Sequence, residues 1–171
     1  MKLRFCPAAL LLFLSAACGY HTAGHVVTVP EGIHTIAVPA FVNQTQTYRI
    51  EQRLTEAVIH EMISRSHYHV VSQPEDADAT LRGTVLSTNS APLTYNTQTG
   101  QVSSILVSVN MKVVFTGKDG KVLYENPSYL FREQYQVSSD PPSFFEEDSP
   151  AFERLSREFA RTLVSNILEG F

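Results

Sequence analysis

SILVSVNMKVVFTGKDGKVLYE, residues 104–125, decides how this chain folds. Ile105, Val107, Val109, Met111, Val113 and Phe115 recur at every second position, with Ser108, Asn110 and Lys112 on the other side. Successive side chains of a strand leave on opposite faces, so the alternation predicts a strand over 103–116 with one covered face and one open face. Lys118-Asp119-Gly120-Lys121 then supplies Asp-Gly, a strong hairpin signal because a tight turn between twisted strands favours positive φ. A second strand is predicted over 122–135. Asn126-Pro127 interrupts it, and a residue without an N–H marks a bulge or an edge position there.

Working outward from this hairpin, residues 79–88 (ATLRGTVLST) read as a further strand. Residues 89–102 contain Pro92 and Gly100 among polar residues, and read as a long connection or hairpin tip. Upstream, residues 33–43 (IHTIAVPAFVN) form a buried strand around Ile36, Ala37 and Val38, with Pro39 marking its end or an edge. Residues 47–65 carry Ile50, Leu54, Ala57, Val58, Ile59 and Met62 at helical spacing. Thr47 is the expected N-cap of that helix, and Glu51 lies in its first turn, where the helix dipole favours an acid. A short strand at 69–72 and the acidic loop QPEDAD follow. After a loop ending at Ser149-Pro150, an N-cap and first-turn proline, a last helix is expected over 150–169. Leu155, Phe159, Leu163 and Ile167 form its apolar stripe, and Gly170 closes it as a C′ residue. Two helices with one apolar face each, and a sheet with one apolar face, bury one another best as two layers. The expected fold is therefore α+β, a two-layer sandwich of two helices on a mixed, about four-stranded sheet.

Composition agrees. A chain of 171 residues, 43% hydrophobic and 18% charged, suits one globular domain with a core of its own. A net charge of −4 argues against a nucleic-acid partner, which would call for a basic surplus.

The first residues do not belong to that domain. Lys2 and Arg4 precede the apolar run Phe5–Leu14, and Ser15-Ala16-Ala17 precede Cys18, the pattern of a removable secretory signal over residues 1–17. The run is shorter than the roughly 20 residues that a membrane-crossing helix needs. Cys6 leaves with the signal, so Cys18 remains the one cysteine of an exported chain, with no partner for a disulfide. The stretch resembles a bacterial lipobox, with Ser15 in the place usually held by leucine and Leu14 one place earlier. On that reading Cys18 is the lipid anchor, carrying acyl chains that together hold the chain to a membrane. An ordinary signal beside a stray cysteine is the alternative. Gly19 rather than aspartate after the cysteine resembles lipoproteins sorted to the outer membrane. Residues 18–32, with three glycines and a proline, read as a lipid-anchored tether, and residues 33–171 as the domain. Loss of Lys2 and Arg4 takes the charge from −4 to −6.

The chain offers little chemistry. His60-Glu61 in HEMISRSH begins like the zinc motif H-E-x-x-H, but Ser64 stands where the second histidine belongs. His67 lies seven residues on, about 10.5 Å along a helix, too far to share a metal with His60. His67 and His69 flank Tyr68 with no third ligand nearby. There is no G-x-S-x-G elbow, Ser-x-x-Lys pair, P-loop or dinucleotide glycine pattern. The acids of FFEEDSP (144–150) lack EF-hand spacing, and Asn43-Gln44-Thr45 is a sequon without meaning for a bacterial lipoprotein. No catalytic residue, metal site or cofactor is assigned. The chain reads as a binding or structural protein, not an enzyme.

Cys18-Gly19-Tyr20-His21, VPEGIHTIAVPAF (29–41), IEQRLTEAVIHEM (50–62), the hairpin at 104–125, YLFREQY (129–135) and the C-terminal amphipathic helix stand in one order over nearly the whole mature chain. Together they resemble the lipopolysaccharide-assembly lipoproteins, the LptE family. The resemblance implies a lipoprotein of the outer membrane, on its periplasmic side, that plugs the lumen of the large β-barrel LptD. It also implies help with that barrel's assembly and with lipopolysaccharide transport to the outer leaflet. Lipopolysaccharide is a second implied partner. Some members contact its phosphates through basic residues near the hairpin tip, but no Lys or Arg occurs here from Gly83 to Met111, so none is carried over. TIAVPAFVNQT before a helix also looks like lipoproteins of the curli-secretion or cell-wall-synthase-activator type, the alternative reading.

Overall fold

The computed structural model describes residues 32–137 and 148–169. The signal, Cys18, the tether up to Glu31 and the expected C′ residue Gly170 lie outside the described residues.

The elements run β1 (Thr35–Ala37), β2 (Val42–Asn43), α1 (Ile50–Arg65), β3 (His69–Val71), a 3-10 turn (Pro74–Asp76), β4 (Ala79–Tyr95), β5 (Val102–Gly117), β6 (Val122–Gln136) and α2 (Asp148–Glu169). One six-stranded sheet has the order β3-β1-β4-β5-β6, with β2 also on β4. β1 runs parallel to β3 and β4, β2 runs parallel to β4, and β4–β5–β6 form an antiparallel meander. The α+β class and the mixed sheet under two helices are as expected; the strands number six rather than about four.

The extra strands come from short pieces. The single strand expected over 33–43 is two, laid end to end along β4: Ile36 and Ala37 pair with Ala79 and Thr80, Val42 and Asn43 with Thr84 and Val85. Pro39 sits in the gap, where a ladder donor would be needed. The gap is used. Phe41 turns inward and is buried, and its N–H donates to Thr55 Oγ1 of α1 at 3.0 Å. Its ring lies against Gly83, where an added Cβ would come within 2.8 Å of the ring carbons.

The core forms where the strongest alternation stood. Val107, Val109, Met111, Val113 and Phe115 are buried against Ile50, Leu54, Val58 and Met62 of α1 and Leu155, Phe159, Leu163 and Ile167 of α2. Phe159 is the hub. Its ring meets Phe41, Tyr129 and Phe131 edge-on at 6.4, 6.2 and 5.1 Å between centroids. Edge-to-face pairs contribute about 0.5–1.5 kcal/mol each beyond burial of the rings.

Both helix starts differ from expectation. Thr47 does not cap α1. The capping position is Arg49, in the left-handed region (φ 54°, ψ 21°), with no side-chain cap bond. Asn43 organises this corner instead: its Oδ1 accepts from Thr45 N–H and Oγ1, and its Nδ2 donates to Thr47 O and to Glu51 Oε2, each at 2.8–2.9 Å. An amide able to reach both sides of the turn displaces the local cap, and Thr47 Oγ1 lies 2.7 Å from Thr88 Oγ1 on β4. At the other helix, α2 runs from Asp148, two positions before the expected start at 150.

The largest difference is at 89–102. β4 continues to Tyr95 and β5 starts at Val102, leaving only a short tip. Pro92 is tolerated because β1 and β2 pair with residues 79–80 and 84–85 only; among the described residues, no strand pairs with the outer side of β4 beyond Val85.

Candidate interaction surface

β4 and β5 together make a hairpin roughly 55 Å long, from its 17 residues at about 3.3 Å each. A bulge between Val85 and Ser87 divides it. Below the bulge Leu81, Gly83 and Val85 pair with Phe115, Val113 and Met111, and all six are buried. Above it the register shift places Thr88, Ser90 and Pro92 opposite Val109, Val107 and Ile105. The apolar row continues on β5 alone, and β4 turns polar.

From Gly83 to Met111 no residue is Asp, Glu, Lys, Arg or His. The upper hairpin is thus neutral, and hydroxyls and amides join it. Thr94 Oγ1 lies 2.8 Å from Ser103 Oγ and 2.6 Å from Ser104 Oγ. Asn96 Oδ1 accepts from Gln98 N–H (2.8 Å) and Thr99 N–H (3.1 Å), and Gly100 closes the tip with φ +71°. Leu93 and Tyr95 stand out from this end, 46% and 59% exposed. Exposed aliphatic and aromatic groups on a neutral, hydrogen-bonded arm suit a contact with another macromolecule, where a buried unpaired charge would be costly. The missing signal was in the sequence: the stretch lacks carboxylates and histidines as well as Lys and Arg.

The open face of the sheet carries the other half of the alternation. Ser108 and Asn110 are half-buried, Ser128 Oγ donates to Asn110 Oδ1 at 3.0 Å, and Lys112 Nζ meets Glu125 at 3.2 Å. On the covered side, Tyr129 is held under α2. Its hydroxyl accepts from Asn166 Nδ2 and lies 2.5 Å from the Tyr124 hydroxyl. Burial, then the Tyr124 hydroxyl, push the Tyr129 pKa well above its ordinary value.

The residues weighed for catalysis or metal binding do not converge. His60, His67 and His69 are exposed, on a helix, on the segment joining it to β3, and on β3. Among the described residues no group of three His, Cys, Asp or Glu is placed to hold a metal ion. Cys18 and residues 144–147 of the acidic loop lie outside the described residues. No helix among the described residues is long and apolar enough to cross a membrane.

A family model described as LptE, lipopolysaccharide-assembly, matches residues 33–169. No curated protein sequence matches the chain. A lipoprotein from Caulobacter crescentus CB15 is similar in structure, with a TM-score of 0.55 at 13% identity over 78% of this chain and 87% of that one. Uncharacterized lipoprotein B from Nitrosomonas europaea is similar with a TM-score of 0.56 at 8% identity, over 87% of this chain and 90% of its own. At such identities the likeness is one of fold.

Proposed function

The chain belongs to the LptE, lipopolysaccharide-assembly family, and from that membership we propose that it is an outer-membrane lipoprotein, anchored through Cys18, that fills the lumen of an LptD-type β-barrel. There it helps the barrel assemble and assists lipopolysaccharide transport to the outer leaflet. The observation that carries this reading is the family match over residues 33–169, which takes in both helices and all six strands. The family is one of assembly lipoproteins rather than enzymes. Two features support the plug. The open sheet face carries Ser108, Asn110, Lys112, Glu125, Arg132 and Gln134 beside Leu106, Val114 and Leu130, and its polar groups suit the polar inner wall of a wide barrel. The upper hairpin offers hydroxyls, amides and two exposed apolar side chains with no charge to desolvate. Its neutrality also leaves lipopolysaccharide phosphates no cation in that arm.

Affinity purification of the acylated protein from detergent-solubilised outer membranes is the test. A β-barrel recovered in stoichiometric amount is the expected result. A ring of identical subunits, or a soluble monomer without a barrel, overturns the reading. Mass spectrometry of the mature amino terminus should show an acylated Cys18, and Cys18→Ala should leave the domain folded but mislocalised.

A further inference from the structure

At the end of the sheet opposite the hairpin tip, a groove of about 450 Å³ lies beside the β5–β6 turn, with Ile33, Asp78, Lys118, Asp119, Lys121 and Leu123 among its lining. The turn is well fixed. Gly117 N–H donates to Lys121 O and Gly120 N–H to Gly117 O, each at 2.9 Å, and Lys118 N–H donates to Asp78 O at 2.7 Å. Backbone donors hold one oxygen of each carboxylate: Asp78 Oδ2 accepts from His34 and Thr35 N–H at 2.9 Å, and Asp119 Oδ1 accepts from Lys121 N–H at 3.0 Å. Neither lysine ammonium lies within 4.0 Å of a carboxylate among the described residues, whereas Lys112, on the open sheet face, is paired with Glu125. Two ammonium groups and two partly engaged carboxylates thus share one groove floored by buried Leu123.

Gly32 also lines it. The groove therefore sits where the chain from Cys18 enters the domain, 14 residues on (32 − 18), within about 50 Å of the anchored residue even if that segment is fully extended. We propose that this groove seats the headgroup of a zwitterionic phospholipid, its phosphate on Lys118 and Lys121 and its ammonium toward Asp78 and Asp119. Resting on the lipid-anchor reading above, the inference adds a second contact between domain and bilayer, at the opposite end from the neutral hairpin. The balanced charge favours a zwitterion over a bare anion, and the mature chain, at −6, is itself repelled by an anionic surface.

The mature chain has three lysines, Lys112, Lys118 and Lys121, so acetylation rates read by mass spectrometry contain their own reference. Acylated protein is reconstituted in phosphatidylethanolamine–phosphatidylcholine vesicles and, separately, in maltoside micelles with and without inorganic phosphate. Relative to Lys112, acetylation of Lys118 and Lys121 should slow about threefold or more in vesicles and stay unchanged in both micelle samples. Lys121→Gln should reduce the protection of Lys118. Equal slowing of all three lysines, or protection by inorganic phosphate in micelles, would overturn the headgroup site. Retention in the vesicle fraction with an unchanged lysine ratio would overturn this inference alone. Loss from that fraction with an unmodified Cys18 would overturn the anchor and the inference together.

Discussion

The two halves of the β4–β5 hairpin share one ladder and one pair of strands, and they differ in what lies on them. Below the bulge at Val85–Ser87, both strands bury side chains under the helices, and Phe41 fills the space over Gly83. Above it, β5 keeps its apolar row while β4 presents Thr88, Ser90 and Pro92 to it. Burial is worth about 25 cal/mol per Å² of apolar surface, so the lower half stabilises the domain. The upper half contributes less, and its residues are free to serve recognition. One hairpin thus divides into a part that holds the fold and a part that extends beyond it.

Phe159→Ala tests that division most severely. The ring is 0% exposed and touches three other aromatic rings, so its loss should cost about 3–5 kcal/mol in urea unfolding. A cost below about 1 kcal/mol would mean that the core does not centre there. Gly83→Ala comes next. The new Cβ meets the buried Phe41 ring at 2.8 Å, and overpacking of this kind costs about 1–3 kcal/mol. Adding Phe41→Leu should return part of that loss, a coupling visible in a double-mutant cycle.

The hydroxyl pair under α2 gives a pH signature. Unfolded, Tyr129 ionises near its ordinary 10.0; folded, burial keeps it protonated to higher pH. Protons bound by the folded state alone mean that stability is complete below that value and falls as pH rises above it. Unfolding curves at about pH 9 and about pH 11 should therefore separate for the wild type, and separate less for Tyr129→Phe. The smallest effect on stability is expected in the upper hairpin. Leu93→Ser and Tyr95→Ser should each change unfolding by no more than about 0.5 kcal/mol, while reducing recovery of the barrel in the affinity experiment. A large stability loss there, with barrel recovery intact, would erase the division between the halves.

Much of this architecture was legible in residue order. The period-2 pattern of 105–115, the Asp-Gly turn and the four-residue stripe of Leu155, Phe159, Leu163 and Ile167 are local signals that survive packing, since each places one face against the other layer. Asn126-Pro127 reads as a bulge or an edge position, and β6 shows a register shift there, between Met111 and Val113. What misled was proline and local capping chemistry. Pro92 reads as part of a long connection or hairpin tip, but β4 has no partner on its outer side there among the described residues, and such a strand has room for it. Thr47 looked like a cap, but the capping position falls on Arg49 without a side-chain cap bond, and Asn43 ties the preceding turn to Thr47 O and Glu51 only once the chain has turned.

The sequence by itself determined that two helices cover one face of a sheet, because the periods of the apolar residues admit no other way to bury both. It also set a charge-free run from Gly83 to Met111. Only the tertiary structure decided that β1 and β2 line up end to end along β4 and that Phe41 lies on Gly83. It alone brought the turn of Lys118 and Lys121 beside Gly32, more than eighty positions earlier in the chain. Those arrangements join residues dozens of positions apart, and they depend on register and on the space between layers, which periodicity along a single segment does not encode.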